Sequence, residues 1–215
     1  TFRDLTPVAS VIGDYSVIAV RQASTFQNIR DLAEAQKQNP SRIAIAGGSI
    51  AGSTDHIVAA LVFAGFAAEP KSVKYIPYDA GGKAMAGLLS GEVQALSSGL
   101  GEVIDMAQQG WVNILCVTSA ERISLLPDTP TCQESGAEGA VFANWRGFFA
   151  SPTMPAAQVQ AYADVLARMY ATSAWREVAD NYGWVDLFYA QEEFVQMLTD
   201  QESDIRRLMT ELDLL

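Results

Sequence analysis

The residues with the most chemical potential lie close together in RIAIAGGSIAGSTDHIVAALVFAG, positions 42–65. Three hydroxyls, Ser49, Ser53 and Thr54, share a turn with Gly47, Gly48, Ala51 and Gly52, between a short β-branched run and an apolar run ending at Gly65. The frame is that of a phosphate loop, G-x-x-x-x-G-K-[ST], with Ser53 where the lysine belongs. That lysine reaches the terminal phosphates of a nucleotide. Without it the turn keeps backbone N–H groups, hydroxyls and the positive end of a helix dipole, a set suited to a smaller anion such as a carboxylate. The plainer reading is a βα turn capped by Ser53 or Thr54, its glycines serving tight geometry alone. The segment by itself supports both.

Other chemistries are weaker. Gly47-Gly48-Ser49-Ile50-Ala51 approximates a nucleophile elbow with its last glycine replaced, but a serine nucleophile needs a base within hydrogen-bond reach. The only histidine, His56, follows by about two helical turns, or about 10 Å. It reads as a first-turn helix residue bonded locally. One histidine and two separated cysteines offer no zinc site. No G-x-G-x-x-G appears, so no dinucleotide cofactor is expected. Asp79, ahead of Gly81-Gly82, reads as a helix N-cap. Arg146, beside Trp145, could meet a further carboxylate with its planar fork or serve a structural ion pair.

These groups need elements to hold them. PVASVIGDYSVIAV from Pro7 is β-rich and broken at Gly13-Asp14, and NIRDLAEAQKQ reads as a helix stopping at Asn39-Pro40. VKYIPY (73–78) leads to a helix closed by Gly91, VQALSS (93–98) to one closed by Gly110, and WVNILCVT (111–118) is a buried strand. Alternating strands and short helices predict a mostly parallel sheet. The stretch after Ser119, with Pro127 and Pro130, reads as loop, and NWRGFFAS (144–151) as a crossing strand. A helix follows Pro155, Ser173 caps the next one up to Gly183, and WVDLFY is a last short strand. The final helix carries Phe194, Met197, Leu198, Ile205, Leu208 and Leu212 on one stripe. Residues 20–143 then form one α/β lobe, and 1–19 with 144–215 form the other with the hinge strands. Ligands of open α/β sheets bind at the carboxyl ends of the strands. Three such ends converge here: Gly47–Thr54, Asp79–Lys83 and Ser97–Glu102.

Of 215 residues, 49% are hydrophobic and 18% charged, enough for a sizeable core. The net charge of −11, with 14 basic against 25 acidic residues and no basic cluster, argues against nucleic acid or anionic membrane as partners. No apolar run reaches membrane-spanning length. Neither a signal peptide nor an initiating methionine stands at Thr1, so a processed or partial chain is expected. Cys116 and Cys132 form one bridge, or Cys116 is a buried small hydrophobe.

The series DLTPVASV, GGSIAGSTDHI, YIPYDAGGKAMAGLLSGEVQA, SSGLGEV, ILCVTSAERISLLPDTPT, NWRGFFASP and NYGW resembles the substrate-binding receptors of tripartite tricarboxylate transporters, the Bug family, in order along the chain. The resemblance implies an α/β, two-lobed, type II periplasmic-binding-protein-like fold. It implies capture of a citrate-like tricarboxylate or a dicarboxylate in the periplasm, without catalysis or cofactor, for delivery to membrane permease subunits. The ligand residues it implies are Ser49, Ala51, Gly52, Ser53, Thr54, Tyr78, Asp79, Gly81, Gly82 and Ser98, with Arg146. The family's second carboxylate loop, ending in Thr-Asp near its N-terminus, has no counterpart here. The first lobe is therefore expected to be incomplete, with self-association or a retained N-terminal fragment covering it. A cytoplasmic effector-sensing domain of a regulator and a serine esterase remain as alternatives.

Overall fold

The structure, a computed structural model, describes residues 1–211. Leu212, expected on the last helical stripe, lies outside the described residues. The chain divides into two compact units, Thr1–Asp14 with Asn144–Arg206, and Tyr15–Ala143 with residues 207–211. The division between Asp14 and Tyr15 falls inside strand β1, Thr6–Arg21. The expected break at Gly13-Asp14 is absent. Gly13 sits at a close approach instead: a Cβ there would come within 3.0 Å of Val185 and 3.3 Å of Leu187.

The larger unit is built from β1 and the strands β2 (Ala44–Gly47), β3 (Lys74–Pro77), β4 (Ala95–Gly99) and β5 (Val112–Val117). Their order is β3-β2-β4-β1-β5. β2 runs parallel to β3 and β4, whereas β1 pairs antiparallel with both β4 and β5. The expected mostly parallel sheet is thus corrected to a mixed one. A strand that enters from the other unit lies reversed between β4 and β5, and no local sequence signal carries that direction.

Both faces of this sheet are covered, so Val17, Ile18, Ala19 and Val20 are all buried without alternation. Ile18, Val20 and Ile45 pack under α1 (Ile29–Gln38) and α2 (Thr54–Gly65), with Leu32, Val62 and Phe63. On the other face Val17, Ala19 and Leu96 meet α3 (Gly81–Ser90) and α4 (Leu100–Gln108), through Leu88, Leu100 and Val103. Asn28 caps α1 by accepting from Asp31 N–H, and Gly91 ends α3 in the left-handed region at φ 84°. Cys116 and Cys132 are disulfide-bonded, with Cα atoms 5.0 Å apart, which tethers the loop-rich stretch after β5 to the core.

In the smaller unit β6 (Ala143–Ala150) pairs with β1, and α5 (Ala156–Tyr170), α6 (Ser173–Tyr182) and α7 (Gln191–Glu211) follow. Val159 and Ala163 of α5 bury against Val8 and Ala150. Phe194 of α7 packs edge-on to Trp145 at 5.3 Å and against Phe149 at 5.3 Å. Two details differ from expectation. Thr172, not Ser173, caps α6 by accepting from Trp175 N–H. The segment WVDLFY forms no strand; Val185, and Ala190 just after the segment, make isolated bridges to Gly13 and Ala9 of β1. Ser10 supplies the rest of that seam, donating from its hydroxyl to Leu187 O at 2.6 Å and accepting from Tyr189 N–H at 3.0 Å.

Candidate functional site

Because β2, β3 and β4 run in parallel, their carboxyl ends reach one edge of the larger unit. Gly47 is in register with Pro77, and Ala46 with Leu96. The three turns that leave these ends are packed together closely. A Cβ on Gly48 would come within 2.3 Å of Gly81 N, and one on Gly81 within 2.3 Å of Glu102 Oε2. At Gly48 the neighbours are backbone atoms, so glycine is required there, whereas at Gly81 a side chain would displace the end of the Glu102 side chain.

Each turn is tied internally. Tyr75 of β3 donates its hydroxyl to Ser49 O at 2.6 Å and lies 3.3 Å from Ser49 Oγ. Ser49 Oγ also accepts from Asp55 N–H at 3.2 Å. His56 accepts at Nδ1 from Gly52 N–H at 3.0 Å and stacks on Tyr75 at 4.7 Å. Burial pushes the His56 pKa down, keeping its imidazole neutral near pH 7 and Nδ1 an acceptor. Ser53 occupies the α2 cap position without a side-chain cap bond, and its N–H donates to Ile50 O at 3.0 Å. Buried Ser98, at the end of β4, donates to Glu102 Oε2 at 2.7 Å.

The sequence-derived set therefore separates. Ser49, Gly52, Ser53, Thr54, Gly81 and Ser98 fall within or beside the converging turns. Ala51 and Ile50 form an exposed tip, with Ile50 77% exposed. Gly82 has open space where a side chain would be. The Tyr78 hydroxyl points to α3, where a Cβ on Gly87 would approach it to 2.4 Å. Asp79 is not the cap of α3. Ala80 holds that position, and Asp79 pairs with Lys83 at 2.5 Å on the surface. Arg146 belongs to the smaller unit, is exposed, and donates to Trp145 O at 3.0 Å.

Two participants escaped the sequence reading, Tyr75 and Asp55, and Glu102 entered it only as the bound of the third strand end. Burial pushes the Asp55 carboxyl up; hydrogen bonds from the Ser49 hydroxyl and the N–H groups of Gly48 and Ser49 draw it back, and the Glu102 charge adds to the rise. An acid in the first turn of a helix reads as a partner for the dipole, which hides any further role. Among the described residues no group of three or more His, Cys, Asp or Glu side chains could hold a metal ion, and no helix is long and apolar enough to cross a membrane.

Comparison with known proteins gives this arrangement a context. The chain is 29% identical over 159 residues to the "UPF0065 protein in tcbD-tcbE intergenic region" of Pseudomonas sp. (strain P51), covering 74% of this chain and 46% of that protein. It thus spans about half the length of that curated relative. Among solved structures, the periplasmic binding protein BugD superposes with a TM-score of 0.83 at 24% identity, over 98% of this chain and 70% of that one. An R. palustris protein solved with adipate gives 0.84 at 21%, over 98% and 69%. MatC from Rhodopseudomonas palustris with bound malate gives 0.77 at 19%, over 97% and 69%. These likenesses carry the fold: the mixed α/β architecture is that of periplasmic binding proteins. The pattern of the tripartite tricarboxylate transporter family receptor matches residues 1–214, and the chain belongs to that family.

Proposed function

We propose that this chain is the ligand-binding part of a periplasmic receptor that captures a small di- or tricarboxylate without turning it over and presents it to membrane permease subunits. The observation that carries the reading is the convergence of three βα turns, with their N–H groups and the hydroxyls of Ser49, Ser53, Thr54 and Ser98, at one edge of the larger unit. Helix N-termini and hydroxyls of this kind favour a carboxylate without a fixed cation. Family membership and the adipate and malate held by two structural neighbours favour the same ligand class. In this reading the two compact units are the receptor's lobes, divided at Asp14–Tyr15 and Ala143–Asn144. Binding rather than esterase chemistry is favoured because His56 Nδ1 is already committed to Gly52 N–H.

Calorimetry with citrate, malate, succinate and adipate tests this reading. Ser53→Ala and Thr54→Ala are each expected to weaken binding by about 1.5–3 kcal/mol, the range for a hydrogen bond to a charged group. Steady product formation from any of these acids would refute pure binding. Unchanged affinity in both variants would return the turn to a geometric role.

The smaller unit adds an association surface. Tyr162 and Val165 on α5 and Val195 on α7 are 52%, 50% and 41% exposed, and a groove of about 430 Å³ between Pro7, Met154, Val159 and Val195 lies open. Apolar surface of this kind favours pairing, and light scattering is expected to report a mass above that of the monomer. A monomer at all concentrations would remove this part of the proposal.

A further inference from the structure

The tip of the glycine-rich turn has a defined shape. Ser53 N–H donates to Ile50 O at 3.0 Å, and Gly52 sits at φ 82° whereas Ala51 has no positive φ. Together these make Ile50–Ser53 a type II turn. The peptide between Ala51 and Gly52 is the soft joint of such a turn. Rotating its plane by about 180° gives a type I turn with the same ends, and glycine accepts both forms. The bond from Ser53 N–H to Ile50 O is common to both forms and does not choose between them.

A stacked pair of side chains does choose. His56 accepts the Gly52 N–H at Nδ1, 3.0 Å away, and so holds that peptide in its type II direction. Nδ1 accepts only in the imidazole that carries its proton on Nε2. Tyr75 stacks on His56, with ring centroids 4.7 Å apart and an interplanar angle of 19°. From there its hydroxyl donates to Ser49 O at 2.6 Å. Ser49 Oγ lies 3.3 Å from that hydroxyl and takes the Asp55 N–H at 3.2 Å. Tyr75 reaches this point across Gly47, where a Cβ would collide with its hydroxyl. The pair thus pins the turn on both sides of the exposed Ile50, at Ser49 and at Gly52, directly ahead of Ser53 and Thr54.

We propose that Tyr75 and His56 are positioning residues for the carboxylate turn, fixing the Ser49 carbonyl and the Ala51–Gly52 peptide before a ligand arrives. The proposal rests on the carboxylate reading of the turn. Neither side chain has to touch the ligand, because both act through the backbone they hold. The gain is conformational freedom removed in advance, which the ligand then does not have to remove. Each pin can be withdrawn by itself. Tyr75→Phe keeps the stack on His56 and loses only the bond to Ser49 O. His56→Asn loses the ring but keeps an acceptor for Gly52 N–H, and His56→Leu keeps the bulk but has no acceptor.

The test uses this chain in wild-type and these three variant forms. Hydrogen exchange at the Gly52 amide reads the clamp without any ligand. Exchange is expected to be at least about tenfold faster in His56→Leu and to stay slow in His56→Asn. Calorimetry with succinate, malate, adipate and citrate then reads the consequence. For an acid that wild type binds, His56→Leu and Tyr75→Phe are expected to bind about tenfold more weakly, the effect of leaving one residue of the turn for the ligand to order. His56→Asn is expected to bind within about threefold of wild type, because the acceptor is restored. A packing role for His56 would give the opposite order, since leucine fills the space of the ring better than asparagine does. Equal Gly52 exchange in wild type and His56→Leu, binding by His56→Asn no better than by His56→Leu, or wild-type affinity in Tyr75→Phe would overturn the positioning role and leave carboxylate binding standing. Wild type binding none of the four acids would instead refute the carboxylate reading, and the positioning role with it.

Discussion

Gly48→Ala is expected to lower the stability of the larger unit by about 3 kcal/mol, at the upper end of what overpacking costs. The added methyl would meet Gly81 N at 2.3 Å, Gly81 Cα at 2.7 Å and the Ala80 carbonyl carbon at 2.8 Å. All three are backbone atoms, so no side chain can swing aside to relieve the contact. The turns after β2 and β3 would have to separate, which would dismantle the convergence on which the proposed site depends. Gly82→Ala is the matched control. Its Cβ would point into open space, and an alanine in the first turn of α3 is expected to be neutral or stabilising by up to about 1 kcal/mol. Urea unfolding of both variants measures the contrast. A Gly48→Ala midpoint equal to that of wild type would show that the two turns are not in contact.

Removing the disulfide should have an effect of similar size. Cys116 lies at the end of β5, and Cys132 anchors the stretch beyond Pro130, where Cys132 N–H donates to Val117 O at 2.8 Å. The stretch ends at Phe142, whose N–H and carbonyl both bond to Thr118. With 16 residues of sequence separation, closing that loop in the unfolded chain is worth about 3 kcal/mol. Cys116→Ala with Cys132→Ala is therefore expected to lose about that much. Its melting temperature should be insensitive to reductant, whereas that of wild type should fall when reductant is present throughout the melt. Equal melting of the two proteins would contradict the bridge's role.

The helices were readable because their ends are written locally. Asn39-Pro40 stops α1, and Gly91 and Gly183 take the left-handed positions that end α3 and α6, at φ 84° and 66°. Strand direction was not readable. β1 is reversed relative to its neighbours because of where it enters from, and Gly13 looked like a break although it serves a close approach to Val185. The glycine-rich turn stood out by composition, as did its neighbours at the ends of β3 and β4. The roles within it did not. Tyr75 reads as a strand aromatic, Asp55 and Glu102 as acids favourable to helix N-termini, and only the fold reveals that all three face the same turn. Asp79, conspicuous before two glycines, turned out to be a surface partner of Lys83.

In the proposed function, the edge where β2, β3 and β4 end receives a small carboxylate. Amide NMR of this chain during titration with succinate, malate, adipate and citrate addresses it most directly. The account predicts saturable shifts in at least one of these titrations, concentrated in Gly47–Thr54 and in residues 78–82 and 98–102, with the acid recovered unchanged. Shifts confined to other parts of the chain, or none at any concentration of any of the four acids, would contradict it.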